Sequence, residues 1–223
     1  MKLYFLVTIL FLLPSCTPYA PWFKDVFYQG EHTEYHKDTV RQYIRSEHVY
    51  DAFSTLAHFD AVWLSCELLD AYAQAHAQKY CLDECAYNSF LREQHAAVLN
   101  KTSFYVLSAI PDCYATALDD KNPVWSAYLV VDNVCCQPTI IKECNMPVEY
   151  RSFFARAYNR FKKSYEIVFE QVDVQHAKMM QLIFARTDRK VVLTWQLDGC
   201  GKVIYQKLER HPDILVYDLE CCP

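Results

Sequence analysis

Residues 49–64 read VYDAFSTLAHFDAVWL, and how this stretch folds decides the architecture of the whole chain. Val49, Phe53, Leu56, Asp60, Trp63 and Leu64, followed by Leu68 and Tyr72, recur at three- and four-residue steps. That spacing lays a mostly apolar stripe along one face of a helix. The reading makes residues 39–80 helical, as one long helix or as two in succession broken near Ser54 or Thr55. A second helix follows over 82–99, where Asp83 and Glu84 suit the positive end of its dipole. On helical geometry His58 and Asp60 point in different directions and form no ready dyad.

From Thr102 onward the pattern changes to a period of two, with β-branched and aromatic residues. It predicts strands at 103–110, 124–131, 139–142, 165–169, 179–186, 191–197, 202–207 and 214–219. Thr187-Asp188-Arg189 supplies a hairpin turn, and residues 147–160 form a short helix feeding a strand. Trp125 and Trp195, on different strands, are the expected core anchors. The predicted fold is α+β: an N-terminal helical layer packed on an antiparallel β-sandwich, immunoglobulin-like in outline. In domain terms residues 1–15 are a signal peptide, 16–38 a tether, 39–100 the helical region and 101–223 the sandwich region. The last two form one compact unit.

Composition removes several functions at once. Only Gly30, Gly199 and Gly201 are glycines among 223 residues, where average usage would give about fifteen. A chain this poor in glycine carries no GxGxxG loop, no phosphate-cradling P-loop and no GxSxG elbow, because each needs backbone that turns sharply or approaches a ligand closely. Hydrophobic residues at 52% and aromatic residues at 15% are enough for a substantial core. The net charge of −5 argues against a general nucleic-acid binder, which needs a basic face. Arg160, Lys162 and Lys163 around Phe161 are the longest basic cluster and read as a solvated face.

Lys2 followed by an uncharged, mostly apolar run over residues 3–13 reads as an export signal, too short to span a bilayer. The run ends in Leu13-Pro14-Ser15-Cys16, which resembles the lipobox of bacterial lipoproteins. That resemblance implies cleavage before Cys16, diacylglycerol on its sulfur and acylation of its amino group. Thr17, in place of the aspartate that retains many such proteins in the inner membrane, implies an outer-membrane address facing the periplasm. The membrane would then be a partner through Cys16, and several acyl chains at about 0.8 kcal/mol per buried CH₂ make such an anchor nearly permanent.

With Cys16 lipidated, ten cysteines remain: Cys66, Cys81, Cys85, Cys113, Cys135, Cys136, Cys144, Cys200, Cys221 and Cys222. In an exported chain an even remainder makes all ten candidates for disulfides, with on the order of a thousand possible pairings. The adjacent pairs Cys135-Cys136 and Cys221-Cys222 would be strained if closed on themselves, so each member reaches elsewhere. Cys200, between Gly199 and Gly201, sits in a turn. Cys66, midway along the helical stripe, also reads as a buried free thiol.

No motif selects a catalytic residue, a metal site or a cofactor. His32 and His36 have helical i, i+4 spacing but lack the glutamate placement of HExxH. His76 and His95 are single histidines on helices, Asp119-Asp120 is explained by a turn, and the aromatic residues of 150–165 cover one end of the sandwich. The leading expectation is therefore a lipid-anchored envelope protein of structural or binding type, with another envelope protein as partner and no nucleic acid. Two alternatives stand beside it. An exported, hydrolase-like enzyme with a dispersed site would need His58, His76 or His95 against a carboxylate. A disulfide-linked envelope scaffold would be cross-linked through Cys221 or Cys222.

Overall fold

The computed structural model describes residues 39–51, 54–111 and 117–204. Its elements run β1 (Ile44–Asp51), β2 (Ser54–Trp63), α1 (Cys66–Tyr80), α2 (Glu84–Val98), β3 (Lys101–Ala109), β4 (Ser126–Val131), β5 (Val134–Cys136), β6 (Ile140–Glu143), α3 (Val148–Phe154), a 3₁₀ turn (Ala155–Ala157), β7 (Lys163–Glu170), β8 (Met179–Arg186) and β9 (Arg189–Gln196). Two antiparallel sheets result, one ordered β1-β2-β3-β7-β6 and the other β5-β4-β8-β9. The α+β class holds. All of the described residues fall in one compact unit.

The stretch that opened the sequence reading is corrected. Most of residues 49–64 form a β-hairpin and not a helix, and the N-terminal helical layer expected over residues 39–80 is reduced to α1. The reason lies in where β2 sits. It is hydrogen-bonded on both edges, to β1 and β3, and both of its faces are covered, with Phe59 and Ala61 on one and Asp60 and Val62 on the other all buried. A strand buried on both faces carries a continuous apolar run with no period of two, and its sequence is indistinguishable from a buried helix. The pairing also skips Leu56, since Val49 faces Ala57 while Tyr50 faces Thr55, and this bulge breaks any residual alternation.

The helix that does form begins where capping permits it. Ser65 accepts a hydrogen bond from the Leu68 amide and caps α1, and Asp83 does the same for α2 through the Ala86 amide at 2.8 Å. Cys81 ends α1 in the left-handed region at φ 50°. Cys66 is thus the first residue of α1 and exposed, contrary to its expected burial midway along a stripe. Tyr72 of α1 stacks on Tyr150 of α3, which in turn packs on Tyr105 of β3. The helices therefore cover the face of the first sheet opposite its core-facing side.

The core-facing sides of the two sheets meet through aromatic rings. Phe59 of β2 stacks on Phe184 of β8 at 4.1 Å and meets Trp125 edge-on at 5.4 Å, while Phe104 of β3 contacts Trp195 of β9. Trp125 and Trp195 are completely buried, as the sequence led us to expect. The Arg45 guanidinium ties the β1 edge to β9 by donating to the Thr194 carbonyl at 2.7 Å.

The other predicted strands at 103–110, 124–131, 139–142, 165–169, 179–186 and 191–197 coincide with β3, β4, β6, β7, β8 and β9, and Thr187-Asp188 turns the β8–β9 hairpin. Of the strand expected at 202–207, the described part contributes a single bridge from Val203 to Leu197. The strand at 214–219, the signal and tether over 1–38, and with them Cys16, His32 and His36, lie outside the described residues, as do Cys113, Cys221 and Cys222.

Candidate functional site

Strand geometry creates the polar cluster that helical geometry had excluded. Ser46 and His48 share one face of β1, and their cross-strand partners Asp60 and His58 share the matching face of β2. Residues two apart on a strand point the same way, so His58 and Asp60 meet after all: His58 Nε2 lies 3.0 Å from Asp60 Oδ1. Ser46 Oγ donates to the same oxygen at 2.6 Å. Lys162, placed just before β7, brings Nζ to within 2.5 Å of Asp60 Oδ2. Asp60 and Lys162 are only 1% and 6% exposed at their side chains.

Burial alone would raise the Asp60 carboxyl. The hydrogen bonds from His58, Lys162 and Ser46, together with the Lys162 charge, outweigh it and hold the carboxyl below its ordinary value. An ionised carboxylate only accepts, so His58 Nε2 is the donor in this contact. The His48 ring lies over His58 with centroids 3.6 Å apart, and Tyr50 continues the stack beyond it. Burial, then the neighbouring charge of His58, lowers the pKa of His48, with Lys162 adding to the effect and Asp60 opposing it.

This is not a serine–histidine–aspartate triad. The Ser46 hydroxyl is hydrogen-bonded to the carboxylate and not to the imidazole, so His58 is not placed to take its proton. Asp60 is instead a hub on which three donors converge.

Two further histidines meet carboxylates. His76 of α1 approaches Glu149 of α3, with Nδ1 and Oε1 3.7 Å apart, beyond hydrogen-bonding distance, and its Nδ1 is buried without a hydrogen-bond partner. Lys79 donates to the same Glu149 oxygen at 3.0 Å. Burial raises Glu149, but its backbone hydrogen bond and Lys79 more than compensate and hold it below the ordinary glutamate value. Phe90 of α2 stacks on His76, so the cluster pins three helices together. His95 of α2 pairs with Asp70 of α1 at 2.9 Å on the surface.

The described cysteines are spread over several elements, exposed or half-buried. Cys66, Cys81, Cys85 and Cys200 are exposed free thiols, Cys136 and Cys144 are half-buried free thiols, and Cys135 is exposed on β5. Cys200 occupies the expected turn, whose Asp198 carboxylate accepts from the Cys200 and Lys202 amides, with Gly199 and Gly201 both at positive φ. Burial, then Glu67 and Asp70, raises Cys66. Burial, then Glu166, raises Cys144 to about 11, so neither is an activated nucleophile. Among the described residues no cluster of three or more His, Cys, Asp or Glu side chains is placed to hold a metal ion, and no helix is long and apolar enough to cross a membrane.

Asp119 and Asp120 lie in a turn, where Asp119 accepts from the Glu143 amide. Of the aromatic residues in 150–165, Tyr150, Phe154 and Tyr165 are buried, while Phe161 is exposed. The basic cluster beside it divides, because Lys162 turns inward to Asp60 and Lys163 remains on the surface. The signal for the Asp60 hub was present in the sequence as Ser46-x-His48 and His58-x-Asp60. It is legible only once both segments are known to be strands.

Compared with known protein families, with curated proteins and with solved structures, the chain matches none.

Proposed function

We propose that this is a lipid-anchored protein of the bacterial cell envelope that works by binding or by building structure, not by catalysis. The observation that carries the non-catalytic part is the state of Asp60, whose two oxygens are occupied by Ser46, His58 and Lys162 from within the fold. A carboxylate engaged by three donors from within the fold holds those elements together, as a structural ion-pair cluster does. The anchor rests on the Leu13-Pro14-Ser15-Cys16 sequence. The two facing sheets support a sandwich, and we assign it an immunoglobulin-like outline on its antiparallel strands and the chain's passage from one sheet to the other.

Labelling with a radioactive fatty acid, wild type against Cys16→Ser, tests the anchor. Label in the wild type and none in the variant is the expected result. Equal label in both, or in neither, overturns it.

A second reading, an exported enzyme of hydrolase type, is favoured by the contact of His58 with Asp60, because a carboxylate that orients an imidazole is a recurring part of general acid–base sites. Hydrolysis of generic ester substrates that disappears in His58→Gln, with the fold intact, would favour that reading over the first. The scaffold reading requires intermolecular disulfides, and a monomer band in non-reducing electrophoresis of the exported protein would remove it.

A further inference from the structure

We propose that Lys162 and Asp60 become covalently joined, their side chains condensing to an intramolecular amide that cross-links the start of β7 to β2. The two groups are buried, belong to elements 102 residues apart, and already touch at 2.5 Å. The arrangement around the carboxylate separates its oxygens by role. Oδ1 receives two donors, the Ser46 hydroxyl at 2.6 Å and His58 Nε2 at 3.0 Å, while Oδ2 receives, among the described residues, Lys162. Two fixed donors on one oxygen are what an acyl-transfer reaction requires to stabilise the oxyanion of a tetrahedral intermediate. The other oxygen, facing the amine, is the one that leaves.

The step balances without any outside reagent. A proton passes from Nζ to Oδ2, converting the ion pair into amine and carboxylic acid. The Nζ lone pair then attacks the Asp60 carboxyl carbon, and the negative charge that develops on Oδ1 is held by Ser46 and His58. A second proton moves from nitrogen to Oδ2, the C–Oδ2 bond breaks, and one water molecule departs. Oδ1 remains as the amide carbonyl oxygen, still accepting from the same two donors. No oxidant, metal or nucleotide takes part.

The surroundings favour the step by proximity and fixed orientation. His58 is held by the His48 ring stacked over it, and Ser46 stands directly across the β1–β2 ladder from Asp60. Forming the neutral pair is the costly part, because the cluster favours the charged form. A reaction needed once per molecule tolerates a slow rate. The product also removes two charges from a buried site, where an ion pair contributes little net stability.

Tryptic mapping of the reduced, natively purified full chain decides the matter. An unreacted protein yields residues 46–79 as one peptide and is cut after Lys162. The cross-linked protein is not cut there, and yields peptide 46–79 joined through Lys162 to the tripeptide Phe161-Lys162-Lys163, lighter than the sum of the two by one water. In Lys162→Arg, which keeps the positive charge but cannot form the amide, the joined peptide must vanish. Ser46→Ala should slow its accumulation after synthesis at least tenfold. Recovery of peptide 46–79 wholly unlinked from wild-type protein with native circular dichroism overturns the proposal, whatever the variants do.

Discussion

The indole N–H of Trp195 donates to the main-chain carbonyl of Tyr43 at 3.0 Å, joining residues 152 positions apart. The bond connects the β9 edge of one sheet to the segment entering β1 of the other, next to the Arg45 contact with Thr194. Trp195→Phe keeps an aromatic ring in the core but loses this bond and part of the indole's volume, lowering stability by about 1–2 kcal/mol. Trp195→Ala also opens a cavity among Phe104 and its neighbours and should cost about 3–5 kcal/mol. Urea unfolding of both variants checks the difference, and equal losses would mean that the hydrogen bond, not the packing, dominates.

Glu149 should make the protein acid-sensitive. Its folded pKa lies below the ordinary value of 4.5, so its contribution is fully present above that value and is lost as pH falls through the folded one. Lys79 is partly exposed, so solvent screens the pair and keeps the contribution small. Glu149→Gln should therefore be less stable at neutral pH and show a flatter decline below pH 4.5. Thermal melts across the acid range read both effects.

His48 has the opposite chemistry and acts at higher pH. The fold lowers its pKa from 6.5, so the unfolded chain takes up a proton first as the solution is acidified. Stability should fall as pH drops from 6.5 toward the folded value and then level off. His48→Gln removes this slope while leaving the acid limb due to carboxylates. Denaturant midpoints of the two proteins between pH 7 and pH 5 should converge on acidification, and parallel curves would exclude the His48 contribution.

The thiols should divide by environment. In reduced, folded protein near pH 8, Cys66, Cys81, Cys85 and Cys200 are accessible to a thiol reagent. Cys144, half-buried and raised to about 11 by burial and Glu166, should react about two orders of magnitude more slowly than an ordinary exposed cysteine. Mass-spectrometric counting of modified positions over time follows the separation, and Glu166→Gln should bring Cys144 forward.

Much of the fold was legible because most strands have one face on the core and the other in contact with solvent. In β4, β8 and β9 buried and less buried residues alternate, and each was located from its sequence. The helix 82–99 was legible from Asp83 at its N-cap, and the turn at Cys200 from its two glycines. β2 was not legible. Its neighbours β1 and β3, the helical side and the second sheet bury it from all directions, and that burial erases the period that distinguishes strand from helix.

The polar hub followed the same fate. His58 and Asp60 are two apart, a spacing that separates side chains on a helix and aligns them on a strand, so a helical reading of β2 conceals the dyad. Lys162 had no local sign of its role, since a lysine among Arg160 and Lys163 reads as surface. By itself the sequence determined the class of fold, the positions of most strands and the tryptophan anchors, all of which depend on local pattern. Tertiary structure alone decided that Ser46, His58 and Lys162 converge on Asp60, because that convergence depends on strand register and on a loop closing over 102 residues.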